Sequence, residues 1–139
     1  MTVQEALDRL KEHGYKYTGK REEMIRVFAQ EKRYLTAKEL LDKLQVQFPG
    51  LSFDTIYRNL ALFEELEIIE STHLKDERIY RLACSPKEHH HHLICTGCGR
   101  SERIDVCPME IVKPQVGQFT ITGHKFEIYG TCADCKGGD

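Results

Sequence analysis

Two cysteine pairs of equal spacing constrain this chain more than any other feature of its sequence. In each pair, Cys95-Thr-Gly-Cys98 and Cys132-Ala-Asp-Cys135, two residues separate the cysteines. This spacing lets one turn present two thiolates to a tetrahedral Zn²⁺ at Zn–S distances of about 2.3 Å. A single pair of this spacing could instead be buried or redox-active without binding metal. Two such pairs in one short region predict a structural zinc site closed by four thiolates. Such a site has no open position for catalysis.

Cysteine and histidine are distributed unevenly along the chain. All six cysteines and five of the seven histidines follow Ala83 in a sequence of 139 residues. We therefore predict an N-terminal domain over residues 1–83, a hinge over 84–88 and a second domain over 89–139. Domains of this size have thin cores, so we expect bound metal or dimerisation to help stabilise them.

The sequence contains no feature of a membrane or secreted protein. No apolar run approaches the roughly 18 residues of a membrane span, and the N-terminus lacks the basic and then apolar pattern of a signal peptide. We expect a cytoplasmic protein with no membrane partner, in a reducing compartment where closely spaced cysteines bind metal rather than form disulfides. The net charge is −2, and the first 60 residues carry 11 Lys or Arg against 9 Asp or Glu. This weakly basic half permits DNA binding without requiring it.

The N-terminal half predicts four helices, each with a capping signal at its start. Apolar residues recur at helical spacing after Thr2, Thr18 and Ser52, and all three residues are good N-caps. The segment Thr36-Ala-Lys-Glu39 is a capping box, which predicts the start of the remaining helix. The last of the four helices in chain order, the one after Ser52, extends from Phe53 to about residue 66.

Strands follow the helices, and the second half is richer in strands than in helices. Two strands joined by the polar turn at 75–77 predict a hairpin, which completes a winged helix-turn-helix. The fold class is therefore α+β, with the winged helix-turn-helix domain followed by a small α/β dimerisation domain that holds the four-cysteine zinc site. The predicted strands cover residues 68–74, 78–82, 93–94, 103–106 and 125–129, and a short helix begins at Pro108.

Four consecutive histidines, His89 to His92, precede the first strand of the second half. If this segment is extended, successive side chains point to opposite faces, so His89 and His91 share one face while His90 and His92 share the other. One tetrapeptide then serves two separate metal sites. A solvated patch or an expression tag is the alternative, but a tag belongs at a terminus and this run is internal.

Each histidine face needs further donors to complete a metal site. Thiolate together with imidazole favours Zn²⁺ over Fe²⁺ or Mn²⁺, which prefer harder oxygen and nitrogen donors. The alternative for a lone cysteine such as Cys84 is a small buried apolar residue. The candidate donors are Cys84 and Glu70 beside His90 and His92, Glu110 and His124 beside His89 and His91, and His73 and Glu102 as additional groups.

The helix that follows Ser52 is the candidate DNA reader. A helix in the major groove needs exposed side chains that contact phosphates and base edges. Tyr57 and Arg58 meet this need, with Thr55 and Asn59 beside them. The alternative is that Tyr57 belongs to the core and Arg58 is merely solvated.

Two other classes of protein fit the sequence less well. In an enzyme, Cys107 or Cys84 with a neighbouring histidine would form a nucleophile pair, but no third orienting group or phosphate-binding loop is present. We therefore predict neither an enzyme nor a small-molecule substrate. A zinc storage protein or chaperone would explain the cysteines and histidines, but not the capped helices and the hairpin.

The segment Phe53-Asp54-Thr55-Ile56-Tyr57-Arg58-Asn59-Leu60, the histidine run and the two cysteine pairs together resemble the ferric uptake regulator family over nearly the whole chain. The resemblance implies a dimeric metal-dependent repressor with a winged helix, a hinge and an α/β dimerisation domain. It also implies roles for matching residues: Cys95, Cys98, Cys132 and Cys135 for structural zinc; Glu70, Cys84, His90 and His92 for regulatory zinc at the hinge; His89, His91, Glu110 and His124 for a further site; Tyr57 and Arg58 for DNA.

Two departures from the family pattern favour its zinc-sensing branch. Tyr34 stands where the iron and peroxide sensors carry a histidine ligand, and Cys84 stands where the peroxide sensor carries an aspartate. The resemblance therefore implies a zinc-loaded homodimer that binds palindromic operators and represses zinc uptake genes. A sensor of another metal or of peroxide is the alternative within the family.

Overall fold

The computed structural model describes residues 1–84 and 89–136. The chain divides into two compact units, Met1–Ser85 and Pro86–Asp139. All but the first residue of the predicted hinge at 84–88 lies outside the described residues. Within the described ranges, no helix is long and apolar enough to cross a membrane.

The first unit begins with helices whose starts are fixed by side-chain caps. The hydroxyl of Thr2 accepts the N–H of Glu5, and Thr18 and Ser52 cap their helices in the same way. At Thr36 the capping box is complete, because its hydroxyl accepts the N–H of Glu39 while the Glu39 carboxylate accepts the N–H of Thr36. The four capped helices are confirmed as α1 (Val3–Glu12), α2 (Gly19–Glu31), α3 (Ala37–Leu44) and α4 (Phe53–Glu65).

A three-stranded antiparallel sheet completes the first unit. It has the order β1-β3-β2, with β1 at Leu35–Thr36, β2 at Ile69–Leu74 and β3 at Glu77–Leu82. Lys75 and Asp76 have φ values of 52° and 64°, the left-handed conformation of a tight two-residue hairpin turn. Glu77, predicted as part of a three-residue turn, therefore belongs to the strand.

The core of the first unit lies between the inner faces of the helices and this sheet. The apolar stripes that predict the helices supply its largest buried side chains, which interlock with residues of the sheet. Fully buried members include Met24, Ile25, Phe28, Leu35, Leu40, Leu44, Ile56, Leu60, Phe63 and Ile68. This packing fixes α4 on the unit by its inner face and leaves its outer face to solvent.

The second unit is a smaller sheet with short helical turns. Its strands β4 (His91–Cys95), β5 (Ser101–Ile104) and β6 (Glu127–Gly130) have the order β5-β4-β6, and β4 and β6 are parallel. Parallel strands end at the same edge, and here Cys95 lies opposite Gly130. The two cysteine pairs therefore meet at one edge of the sheet. Two short helices, α5 (Met109–Val112) and α6 (Ala133–Lys136), and a 3₁₀ turn at Lys113–Gln115 complete the described part of the unit.

Candidate metal centres and recognition helix

The four cysteines of the predicted structural site lie together. Their sulfur atoms are all within 4.8 Å of one another, and the sulfurs of Cys98 and Cys132 are 3.8 Å apart. Cys95 is the last residue of β4 and Cys132 follows β6, so the sheet itself brings the two pairs into contact. The structure thus brings together all four residues that the sequence proposes for this site.

The surroundings of these sulfurs fit a bound cation. The amides of Gly97 and Cys132 both donate to the sulfur of Cys95 at 3.3 Å. These bonds, that from Cys132 first, lower the pKa of Cys95 to about 6. The neighbouring sulfurs, that of Cys132 first, raise the pKa of Cys135 to about 12. Four adjacent thiols resist full ionisation on their own, and the charge of a bound divalent cation such as Zn²⁺ would allow all four to be thiolates.

A second donor cluster lies elsewhere in the same unit and contains three of the predicted histidines. The ring nitrogens of His89 and His124 are 3.0 Å apart, and those of His91 and His124 are 3.3 Å apart. The fourth member is Cys107, whose sulfur is 3.4 Å from both His91 and His124. All four donor atoms lie within 4.8 Å of one another.

Glu110 is not part of this cluster in the described part of the chain. It lies in α5, shortly after Cys107, which is the fourth member of the cluster. In the sequence, Cys107 is a candidate nucleophile only. It could have been predicted as a donor, because it has a soft sulfur and lies close in sequence to Glu110, a predicted ligand. Burial lowers the pKa of His91, which favours the neutral imidazole that binds metals.

The predicted regulatory ligands fall into two groups, one in each unit. In the first unit, the sulfur of Cys84 lies 3.8 Å from Oε1 of Glu70, and burial raises the pKa of this thiol. In the second unit, the rings of His90 and His92 lie against each other with centroids 4.9 Å apart. His89 packs in the same way on His91, so the predicted alternation of the histidine run is confirmed.

The two additional donors named from the sequence lie on strands. His73 pairs with Arg78 across the hairpin, and Glu102 pairs with Leu93 in the second sheet. Neither residue belongs to a donor cluster among the described residues.

The outer face of α4 carries exposed aromatic and charged side chains. Tyr57 is 52 % exposed and stacks on Phe53 with ring centroids 6.1 Å apart, so it is not a core residue. Arg58 is exposed and forms an ion pair of 2.6 Å with Asp54 one turn earlier. Thr55 is partly exposed near the start of the helix.

Asn59 differs from its neighbours on α4. It is only 8 % exposed, and its Oδ1 accepts a hydrogen bond of 3.2 Å from Nε of Arg21 on α2. Arg21 also donates to the carbonyl of Lys16 and lies over the ring of Tyr15. The structure therefore gives Asn59 a role in joining α4 to α2, whereas the sequence proposes a direct DNA contact.

A capped helical unit with a hairpin wing and an exposed α4, followed by a unit with cysteine and histidine donor clusters, defines a metal-responsive transcription regulator. The sequence profile of the ferric uptake regulator family matches residues 12–129, and the chain belongs to this family. It is accordingly a regulator of transcription and not an enzyme.

Three known proteins are similar to this chain in sequence or in fold. The chain is 47 % identical over 136 residues to the ferric uptake regulation protein of Staphylococcus epidermidis, covering 98 % of each chain. The structure of the Helicobacter pylori ferric uptake regulator, described as having three functional metal-binding sites, is 25 % identical with a TM-score of 0.73, covering 98 % of this chain and 95 % of that one. A zinc uptake regulator complexed with zinc and DNA shares the fold, at 21 % identity and a TM-score of 0.74, covering 98 % and 93 %.

Proposed function

We propose that this protein is a zinc-responsive repressor that acts in the cytoplasm as a homodimer on palindromic operators of zinc uptake genes. The observation that carries the proposal is the Cys84 thiol next to the Glu70 carboxylate, 3.8 Å apart at the end of the winged-helix unit. A thiolate ligand at the regulatory position favours Zn²⁺ over Fe²⁺ and Mn²⁺.

The proposed regulatory site takes Cys84 and Glu70 from the first unit and His90 and His92 from the second. Each pair is already adjacent within its own unit. A bound zinc ion would supply a cross-link between the two units. A palindromic operator has two half-sites at a fixed spacing, which matches one separation of the two recognition helices in the dimer. A dimer restricted to that separation therefore binds the operator more tightly.

A homodimer is supported by the surface of the second unit. Large apolar side chains of this unit are in contact with solvent, including Phe119 at 84 % and Ile111 at 72 % exposure. Exposed apolar groups of this size in so small a unit are typical of a surface covered by a partner. A second copy of the chain would cover them and would place two copies of α4 on one DNA.

DNA recognition is assigned to the outer face of α4. Tyr57, Arg58 and Thr55 present hydroxyl, guanidinium and aromatic groups to solvent on this helix. Asn59 supports the same face indirectly through Arg21. The zinc uptake regulator that shares this fold is described in complex with zinc and DNA, which agrees with DNA binding by a protein of this fold.

The two clusters of the second unit are assigned separate zinc ions. Cys95, Cys98, Cys132 and Cys135 hold a structural zinc. His89, His91 and His124 form the further site, and the distances favour Cys107 over Glu110 as its fourth ligand. Three imidazoles and a thiolate are a donor set that suits Zn²⁺.

The test is metal-dependent DNA binding by the purified protein. Duplexes are first selected from a random pool with zinc-loaded protein, and binding is then titrated anaerobically with Zn²⁺, Fe²⁺ and Mn²⁺ in metal-buffered solution. We expect Zn²⁺ to drive binding at a free concentration orders of magnitude below the other two. The 47 % identity to a ferric uptake regulation protein supports an iron sensor as the second candidate. Binding driven by Fe²⁺ at an equal or lower concentration would establish that candidate instead.

A further inference from the structure

We propose that Arg81 sets the zinc concentration to which the regulatory site responds, because its guanidinium competes with the metal for the carboxylate of Glu70. The inference rests on the proposed function, which assigns Glu70 and Cys84 as ligands. Every contact that carries it lies within the first unit.

Strand pairing fixes Arg81 beside the ligand. Glu70 on β2 and Arg81 on β3 are direct cross-strand partners, and Nε of Arg81 lies 3.7 Å from Oε1 of Glu70. The same oxygen lies 3.8 Å from the sulfur of Cys84. One carboxylate oxygen is therefore shared between a permanent cation and a thiol that is itself a proposed ligand.

Tyr34 holds the guanidinium in this position. Cζ of Arg81 lies 5.6 Å from the centre of the Tyr34 ring, within range of a cation–π contact, and Tyr34 is only 3 % exposed. The Arg81 side chain is itself only 19 % exposed. If Arg81 turned away from Glu70, it would lose its contacts with both the ring and the carboxylate.

A fixed guanidinium beside Glu70 opposes metal binding in two ways. It already occupies one side of the carboxylate, and it repels a second cation placed a few ångströms away in a half-buried setting. Arg33 and Lys32 line the same recess as Arg81 and Cys84, so the surroundings add positive charge. Arg33 is paired with Glu31 and Glu39, whereas Arg81 faces the proposed ligand. Arg81 is therefore the positioning residue that raises the zinc threshold.

The experiment measures zinc affinity directly, without DNA. The dimer with zinc already in the structural and further sites is titrated with Zn²⁺ against a chromophoric chelator, for the wild type and for Arg81→Gln. We expect Arg81→Gln to bind the regulatory zinc roughly tenfold more tightly, since a nearby positive charge is removed. Arg81→Lys keeps the charge and should stay close to the wild type. If Arg81→Gln impairs folding, Arg81→Met replaces it, because methionine keeps an apolar stem over Tyr34. Arg81→Met should give the same increase in zinc affinity.

Arg78 provides the matched control. It lies on the same strand, is paired with Glu64, and its Cζ lies 5.9 Å from the centre of the Tyr80 ring. Arg78→Gln therefore removes an equivalent ion pair and aromatic contact away from Glu70, and it should leave zinc affinity unchanged. In a Glu70→Gln background, Arg81→Gln should have much less effect than in the wild type, because the contested carboxylate is gone.

The outcomes separate the inference from the proposed function. If Cys84→Ser and Glu70→Gln weaken zinc binding while Arg81→Gln leaves it unchanged or weakens it, Arg81 does not compete and the inference is wrong. If Cys84→Ser and Glu70→Gln leave zinc binding unchanged, the regulatory site itself is assigned wrongly, and the inference falls with it.

Discussion

Gly97 lies where an added side chain would come too close to Cys135. A Cβ atom built on Gly97 would lie 2.9 Å from the sulfur of Cys135 and 3.3 Å from its Cβ. Both distances are shorter than ordinary van der Waals contacts. The Gly97 amide also donates to the sulfur of Cys95. The glycine inside the first cysteine pair is therefore required by the close approach of the second pair.

We expect Gly97→Ala to weaken the structural zinc site, because the added methyl displaces Cys135 from the other three sulfurs. The measurement is zinc content per protomer after dialysis against a chelator, with the melting temperature of the same samples. Gly123→Ala is the control, since a Cβ at Gly123 meets no atom within 4 Å. Equal zinc retention in both variants would show that the site tolerates the shift.

A second residue-scale prediction concerns the fourth ligand of the further site. Because the sulfur of Cys107 lies 3.4 Å from both His91 and His124, Cys107→Ser should abolish the sulfur-to-cobalt charge-transfer absorption when Co²⁺ fills this site. Glu110→Gln should leave that absorption intact. The opposite pattern would return the ligand role to Glu110. The structural site keeps its zinc in both variants and does not contribute to the absorption, and both variants are made in a Cys84→Ser background so that the proposed regulatory site adds no second thiolate.

The sequence predicts donors well only where spacing constrains them. The four-cysteine site follows from two local pairs, and the alternation of His89 to His92 follows from extended backbone. Cys107 has no such local partner, because its histidine neighbours come from β4 and from the segment before β6. Tertiary packing decides which donors from separate segments lie close together, and the spacing of residues along the sequence does not predict it.

At the scale of elements, α4 combines a buried stripe with a polar outer face. Its Asp54–Arg58 ion pair spans one helical turn, and both side chains are well exposed. Such pairs contribute little to stability, so Arg58 is free to exchange Asp54 for a phosphate or a base at small cost. The helix can therefore change its outer contacts without disturbing the core.

Arg58→Ala should weaken operator binding by about 1–3 kcal/mol while zinc content and the dimer remain unchanged, because the substitution removes a surface contact only. The measurement is operator affinity at two salt concentrations, with gel filtration and metal analysis alongside. Arg26→Ala is the matched control, since Arg26 is also exposed and also pairs with an acidic residue one turn earlier, Glu22. Wild-type affinity in Arg58→Ala would remove Arg58 from the set of DNA-contacting residues.

Elements with strong local signals are predictable, and short ones are not. The four capped helices and the hairpin are confirmed because caps and apolar periodicity act within each segment. The strand β1 has only two residues and exists through its pairing with β3, and α6 forms within a cysteine pair. The strand predicted at 103–106 lies at Ser101–Ile104, because its pairing with β4 sets its ends. These differences have one cause, which is that tertiary pairing overrides weak local preference.

Across the whole molecule, we expect stability and sensing to depend on different metal-binding residues. The first unit has a contiguous apolar core of its own. In the second unit, by contrast, Ile94 is the one fully buried large aliphatic side chain among the described residues. We therefore expect the proposed structural zinc to substitute for core in the second unit, and the proposed regulatory ligands to contribute little to either fold. Loss of a structural ligand should accordingly impair folding, whereas loss of a regulatory ligand should leave folding intact.

Cys95→Ser and Cys84→Ser test this separation, since the two thiols lie only a short distance apart in the sequence. Cys95→Ser leaves three thiolates, and the thin core of the second unit does not compensate, so this variant should lose zinc, dimerisation and solubility together. Cys84→Ser should remain a folded dimer with its structural zinc, yet need far more Zn²⁺ to bind operator, because a hydroxyl is a poor zinc ligand. The measurements are metal content, gel-filtration size and zinc-dependent operator binding of both variants side by side. Unchanged zinc dependence in Cys84→Ser would show that Cys84 only packs, and would remove the main chemical support for zinc over iron.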